Sequence, residues 1–252
     1  MAIRSTGTLL EDALAFYKAH WQILLSIAIV SGVVQAVFYL ISPTGKDVDL
    51  STAPALMVFG LFVILMVVTG ILSMIAMIRV AAEPTRYQSV VDAFMDAWGL
   101  FFPTLVAGIL VALIVVAGFV LLIIPGIILA VWLLFTQYIV VLEGKRGPDA
   151  LKASVAYVKG NWWAVFVRLI LMVLLVIAAS IVIGFVLSIV LGITGFGMHT
   201  GLKNAVGALM GAVLTPFANV YMYLMYADLK RAFSSTPAPA EVPPPAPSVV
   251  AQ

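Results

Sequence analysis

Arg168 is the residue whose chemistry stands out first. It lies five positions after Trp163, inside a stretch from Trp162 to Leu191 that carries no other charge. On a helix that places it about 7–8 Å deeper than the tryptophan. A charge at that depth is costly, so it faces a bundle interior, pairs with a carboxylate or snorkels to the interface. Two carboxylates stand at similar depth, Glu143 and Asp228, each closing an apolar stretch, and Arg79 closes another. The four predict an ion-pair cluster that clamps helices at one rim. The alternative chemistry is an anion site around Arg168 for a lipid headgroup. Gln137 and Asn219 are candidate intramembrane polar residues, and Pro216 frees a backbone carbonyl near Asn219. Gln35, Thr69, Ser73, Thr136, Ser180, Ser188 and Thr215 read as groups that hydrogen-bond between helices. Gly207-x-x-x-Gly211 reads as a place of close helix approach.

Other chemistries lack their residues. There is no cysteine, which removes disulfides, iron–sulfur clusters and thiol catalysis. The two histidines, His20 and His199, are far apart, and neither neighbourhood offers enough ligands for a metal. No phosphate-binding loop, His-Glu-x-x-His or credible nucleophilic triad occurs. No catalytic residue, cofactor or metal is expected, and a net charge of +2 gives no reason to expect nucleic acid.

The elements that position Arg168 follow from composition. Of 252 residues 64% are hydrophobic and only 10% charged, against about 25% charged in an average soluble domain. The charges leave long gaps, and an uncharged apolar run of about 18 residues or more reads as a membrane span. The predicted spans are 21–41, 54–78, 103–124, 127–142, 162–191 and 205–226. Pro103–Leu142 is one uncharged stretch of 40 residues. As a single helix it would be roughly 60 Å long, twice the hydrocarbon thickness of about 30 Å. It must turn, and Pro125-Gly126 is the turn signal near its middle.

A short amphipathic segment precedes each odd-numbered span. The apolar positions are Leu10, Leu14, Tyr17 and Trp21; then Val91, Phe94, Trp98 and Phe101; then Leu151, Val155, Val158 and Trp162. Each set forms one helical face. Thr8-x-x-Glu11 and Thr85-x-x-Gln88 fit capping boxes, and Pro148-Asp149 fits a first turn. Pro103 and Gly160 predict breaks between the second and third segments and their spans. The fold class is therefore an all-α integral membrane protein: six spans as three hairpins, each preceded by a short cytoplasmic amphipathic helix that either lies in the headgroup plane or extends the next span.

Basic residues set the orientation. With the N-terminus inside, Arg4, Lys18, Arg79, Arg86, Lys145, Arg146, Lys152, Lys159, Lys230 and Arg231 are cytoplasmic, and only Lys46 and Lys203 lie in outer loops. Both termini are expected in the cytoplasm. Residues 1–233 form the membrane domain. The tail 234–252 holds six prolines and is expected to be disordered. A protein partner could dock on it.

Certain strings carry a resemblance. Ile123-Ile124-Pro125-Gly126-Ile127-Ile128-Leu129, Val140-Val141-Leu142-Glu143-Gly144, Ala150-Leu151-Lys152-Ala153-Ser154, Lys159-Gly160-Asn161-Trp162-Trp163 and Tyr226-Ala227-Asp228-Leu229-Lys230 resemble bacterial YciC-type inner-membrane proteins. They also resemble the membrane domain carried by some glycerophosphoryl diester phosphodiesterases. The resemblance covers residues 8–231 and implies a six-helix bundle in a bacterial inner membrane. It implies no activity here, because nothing in the chain matches the soluble catalytic domain of those phosphodiesterases. The expected role is non-enzymatic: organisation of the membrane or of a protein complex, with the bilayer and anionic headgroups as partners. The alternative is a small transporter or lipid-handling protein with a cavity near Arg168 and Asn219.

Overall fold

The computed structural model describes residues 4–41, 53–194 and 200–235. Among these residues the regular structure is entirely helical. The helices are α1 (Thr6–Ile41), α2 (Ala53–Ala82), α3 (Val90–Trp98), α4 (Phe101–Leu121), α5 (Ile123–Trp132), α6 (Thr136–Glu143), α7 (Gly147–Val158), α8 (Trp162–Thr194) and α9 (Thr200–Ser234). Six stretches are long and apolar enough to cross a membrane: Thr6–Leu40, Leu56–Ala82, Phe101–Leu121, Ile123–Glu143, Trp162–Val190 and Asn204–Ser234. Helix is the expected outcome, because backbone groups in hydrocarbon must be satisfied within the chain.

The first and last helices form the most extensive pair. Gly32 of α1 lies against Ala212 of α9, where a Cβ would stand 2.9 Å from the Ala212 methyl. Tyr17 donates to the Val213 carbonyl at 3.2 Å, one turn before Pro216, whose ring interrupts the α9 hydrogen-bond ladder. Ser73 of α2 donates to the Ile27 carbonyl of α1 at 3.4 Å. The buried core runs through Leu24, Ile27, Ile75, Ile78, Phe135, Ile139, Tyr221 and Met225. It sits toward one end of the bundle. At the other end, α2 from Leu56 to Val67 and α8 beyond Arg168 contain no buried residue among those described.

The junctions differ from the sequence expectation in instructive ways. The α4–α5 break is at Leu122, whose backbone is extended (φ −163°, ψ 153°), and not at Pro125-Gly126. Pro125 lies in the first turn of α5, where its missing N–H costs nothing. Gly126 gives α4 and α5 their close approach, since a Cβ there would meet the Phe119 ring at 2.5 Å. Pro103 likewise sits in the first turn of α4, and the α3–α4 break falls at Gly99 and Leu100. The caps are also shifted. Ser5 accepts from the Thr8 N–H, and Ser89 accepts from the Asp92 N–H, in place of the predicted boxes at Thr8 and Thr85. Helix α1 bends at His20 (φ −123°, ψ 20°), and Gly160 (φ +89°) separates α7 from α8. The predicted 127–142 span is itself broken at Leu133–Phe135, between α5 and α6. Residues 236–252 and His199 lie outside the described residues.

Candidate functional site

Polar chemistry gathers in two places, a charged rim and a cavity toward the opposite end. The rim is built from the start of α1, the ends of α2, α6 and α9, and the helices α3 and α7. Arg79, Glu143, Arg168 and Asp228 all lie there, divided among three groups.

The first group joins the segment ahead of α1 to α8 and α9. The Arg4 guanidinium donates through Nε to both oxygens of Asp228, at 2.8 and 3.0 Å, and a second arm reaches Asp12. The bond to Asp228 holds the Arg4 pKa above its ordinary value. Arg168 donates to the main-chain carbonyl of Arg4 and not to a carboxylate. Tyr221 donates to the Arg168 carbonyl at 3.4 Å. Arg168 and Asp228 are each 6% exposed, and the second guanidinium nitrogen of Arg168, Nη1, has no hydrogen-bond partner.

The second group surrounds Glu143, the last residue of α6. A carboxylate there faces the negative end of the helix dipole, so it needs donors. Tyr226 supplies one at 2.6 Å and Tyr157 another at 2.9 Å. Lys145 and Lys230 lie at 2.9 and 3.3 Å. Gly144 ends α6 in the left-handed region (φ +67°), which turns the chain so that Lys145 can fold back. Burial, and then Glu143, pushes the Tyr157 hydroxyl up to about 12.

The third group centres on Asp96 of α3. Arg79 and Arg86 lie at 3.3 and 3.5 Å, and Tyr87 donates at 2.7 Å. Burial, followed by this bond, pushes Tyr87 up to about 12. Asp96 thus ties α3 to the end of α2.

Helix α7 has a part that spacing did not reveal. Its apolar face covers protein: Ala150, Leu151, Ser154, Tyr157 and Val158 are buried. The Ser154 hydroxyl accepts from the Phe135 N–H at 3.2 Å and donates to the Trp132 carbonyl at 2.8 Å. One side chain therefore satisfies both orphan groups at the α5–α6 break. Helix α3 differs. It buries Ala93 and Ala97 and leaves Val91, Met95 and Trp98 exposed.

Gln137 and Asn219 do not converge. The Gln137 amide nitrogen lies over Gly108, and its oxygen is buried without a partner. The Asn219 side-chain amide donates to the Thr215 carbonyl of its own helix at 2.9 Å, and the Asn219 main-chain carbonyl accepts from Tyr138 at 3.4 Å.

The cavity lies between α1, α8 and α9, away from the rim, with a volume of about 650 Å³. Ser31, Gln35, Tyr39, Ser188, Asn204 and Thr215 line it, together with several glycines. Arg168 and Asn219 are not among its lining residues. A shallower groove at the rim, between Glu83, Tyr226, Lys230 and Arg231, adjoins the Glu143 group.

Residues 88–229 match a family described as a domain of unknown function, DUF7847. The chain belongs to that family. The DUF7847 match runs from just before α3 to near the end of α9. It takes in Asp96, Glu143, Arg168 and Asp228 but leaves Arg4 and Arg79 outside. No curated protein and no solved structure matches the chain.

Proposed function

We propose that this protein is a non-enzymatic, multi-pass protein of a bacterial inner membrane, kin to the YciC-type proteins. It organises the bilayer or a protein complex at the cytoplasmic face. The charged rim is that face, the chain runs as three hairpins, and α3 lies in the headgroup plane.

The observation that carries this reading is the exposed stripe on α3. Val91, Met95 and Trp98 follow at helical spacing on α3 and are all exposed, as is Phe102 at the start of α4. On the protein side Asp96 anchors α3 to Arg79 and Tyr87. A helix held by charge on one side, with large apolar side chains on the other, suits insertion at the headgroup boundary. The three rim groups give it a rigid base.

The test uses vesicles containing the protein with every tryptophan except Trp98 changed to Phe. Lipids brominated near the headgroup should quench Trp98 fluorescence more than lipids brominated at the chain end. A lipid-order probe should report tighter packing around wild type than around a Val91→Ser, Met95→Ser, Trp98→Ser variant. Unquenched Trp98 and equal lipid order would refute the reading.

The cavity between α1, α8 and α9 favours the second reading, a lipid-handling or transport protein. In that reading the binding volume lies beside Thr215, one turn before Asn219, and not around Arg168.

A further inference from the structure

The small residues of α8 and α9 make room instead of contact. Gly207 and Gly211 have the spacing of a close-packing motif, yet a Cβ added at either, or at Gly184 of α8, would meet no atom within 4 Å. The tight glycine contact in this region is at Gly32 of α1, against Ala212 and Leu209 of α9. Beyond Arg168, no described residue of α8 is buried. Helix α8 therefore stands off from α9 over its far half, and the glycines face the resulting cavity of about 650 Å³. That volume lies within the range of small-molecule sites, about 300–1,000 Å³.

The lining has a definite chemistry. None of the lining residues is charged. Ser31, Ser188 and Thr215 each spend their hydroxyl proton on a carbonyl of their own helix, at 3.0, 2.7 and 3.1 Å. Their oxygens remain as acceptors. Gln35 and Asn204 add amide donors and acceptors, and Tyr39 adds a phenol. Among the described residues Gln35 makes no hydrogen bond; it is exposed and lies within the Thr6–Leu40 span, five residues from its end. An amide left unpaired in hydrocarbon is penalised. An ion would find no countercharge here, and an acyl chain would leave the polar groups unpaired. An uncharged group that both donates and accepts satisfies them.

We infer that this cavity binds an uncharged, hydroxyl-bearing group, such as the head region of a neutral glycerolipid or a free polyol. The inference rests on the lipid-handling reading and names its ligand class. A lipid would enter sideways past α8, which lines the cavity through Gly184, Leu187 and Ser188 and leaves Ile181, Phe185 and Ile189 exposed. A free polyol would enter from the end of the bundle.

The experiment reconstitutes the full chain in phosphatidylcholine vesicles with a photoreactive diacylglycerol, and maps the labelled peptides. Labelling should fall on α1, α8 and α9 around Gln35, Ser188 and Thr215. Gly211→Leu and Gly184→Leu should each cut it about tenfold with the unfolding temperature unchanged, because the new side chains enter open space. Gln35→Leu should weaken it by removing the unpaired amide. Gly60→Leu, which also adds a side chain in open space but on α2, should leave it unchanged. Competition by free glycerol assigns the site to polyols in general, and its absence assigns it to the lipid. Stronger labelling of the same peptides by a photoreactive phosphatidic acid would overturn the ligand class while keeping lipid handling. Cavity labelling that is absent with either probe, or unchanged in Gly211→Leu, would overturn both.

Discussion

The Arg168 guanidinium donates to the main-chain carbonyl of Arg4, while the Arg4 side chain holds Asp228. Asp228 is almost fully buried, and Arg4 is about a third exposed, with 31% of its side chain accessible. The pair therefore stands between an exposed bridge, worth about 0–1 kcal/mol, and a buried one, whose breakage costs about 3–5 kcal/mol. Arg4→Leu and Asp228→Asn should each lower stability in detergent by roughly 1–3 kcal/mol. The double variant should lose clearly less than the sum. Arg168→Leu should be coupled to Arg4→Leu and additive with Glu143→Gln, because Glu143 belongs to a separate group. Thermal unfolding of these single and double variants checks both statements.

Ser154→Ala removes the one side chain that bridges the α5–α6 break. The Phe135 N–H and the Trp132 carbonyl then lose their partner in a buried place. The expected loss is about 1–3 kcal/mol, seen as a lower unfolding temperature. Equal stability would mean that another group, such as water, already serves the break.

Gly126→Ala drives a methyl into the Phe119 ring. Overpacking of this kind costs about 1–3 kcal/mol. Phe119→Leu in the same chain should restore most of it, and the unfolding temperatures of the two variants give the answer.

Tyr87 and Tyr157 tie the rim to pH. Each is raised from 10.0 to about 12 by burial and a carboxylate partner. A raised pKa favours the protonated folded form, so its contribution is complete below about pH 10 and lost as pH rises toward 12. Stability should decline over that window. Tyr87→Phe and Tyr157→Phe should flatten the decline while lowering stability at neutral pH through the lost bond. An unaltered alkaline profile in both variants would rule out this linkage.

Much of this was legible in the sequence, for physical reasons. Six apolar runs and the placement of charge at their ends followed from the cost of burying ions in hydrocarbon, and Glu143, Arg168 and Asp228 were visible as charges at matching depth. Arg4 was not, because a basic residue ahead of a first span reads as an orientation signal. Its partner Asp228 lies 224 positions away. The Leu122 turn carries no glycine or proline, since extended backbone is open to any residue. The break at Leu133–Phe135 is stabilised from another helix, by Ser154, so no local signal marks it. Gly207 and Gly211 carry a packing motif, and only the stand-off of α8 shows that they face open space.

The central claim is that the charged rim faces the cytoplasm, with both ends of the chain on that side. Because the chain has no native cysteine, single cysteines report cleanly. The measurement is labelling of intact cells with a membrane-impermeant thiol reagent, at Leu122→Cys on the far end and at Gln88→Cys, Lys152→Cys and Ser235→Cys on the rim. The account predicts labelling of Leu122→Cys from outside and of the other three only after the cells are opened. External labelling of Ser235→Cys, or labelling of Leu122→Cys only in opened cells, would contradict it.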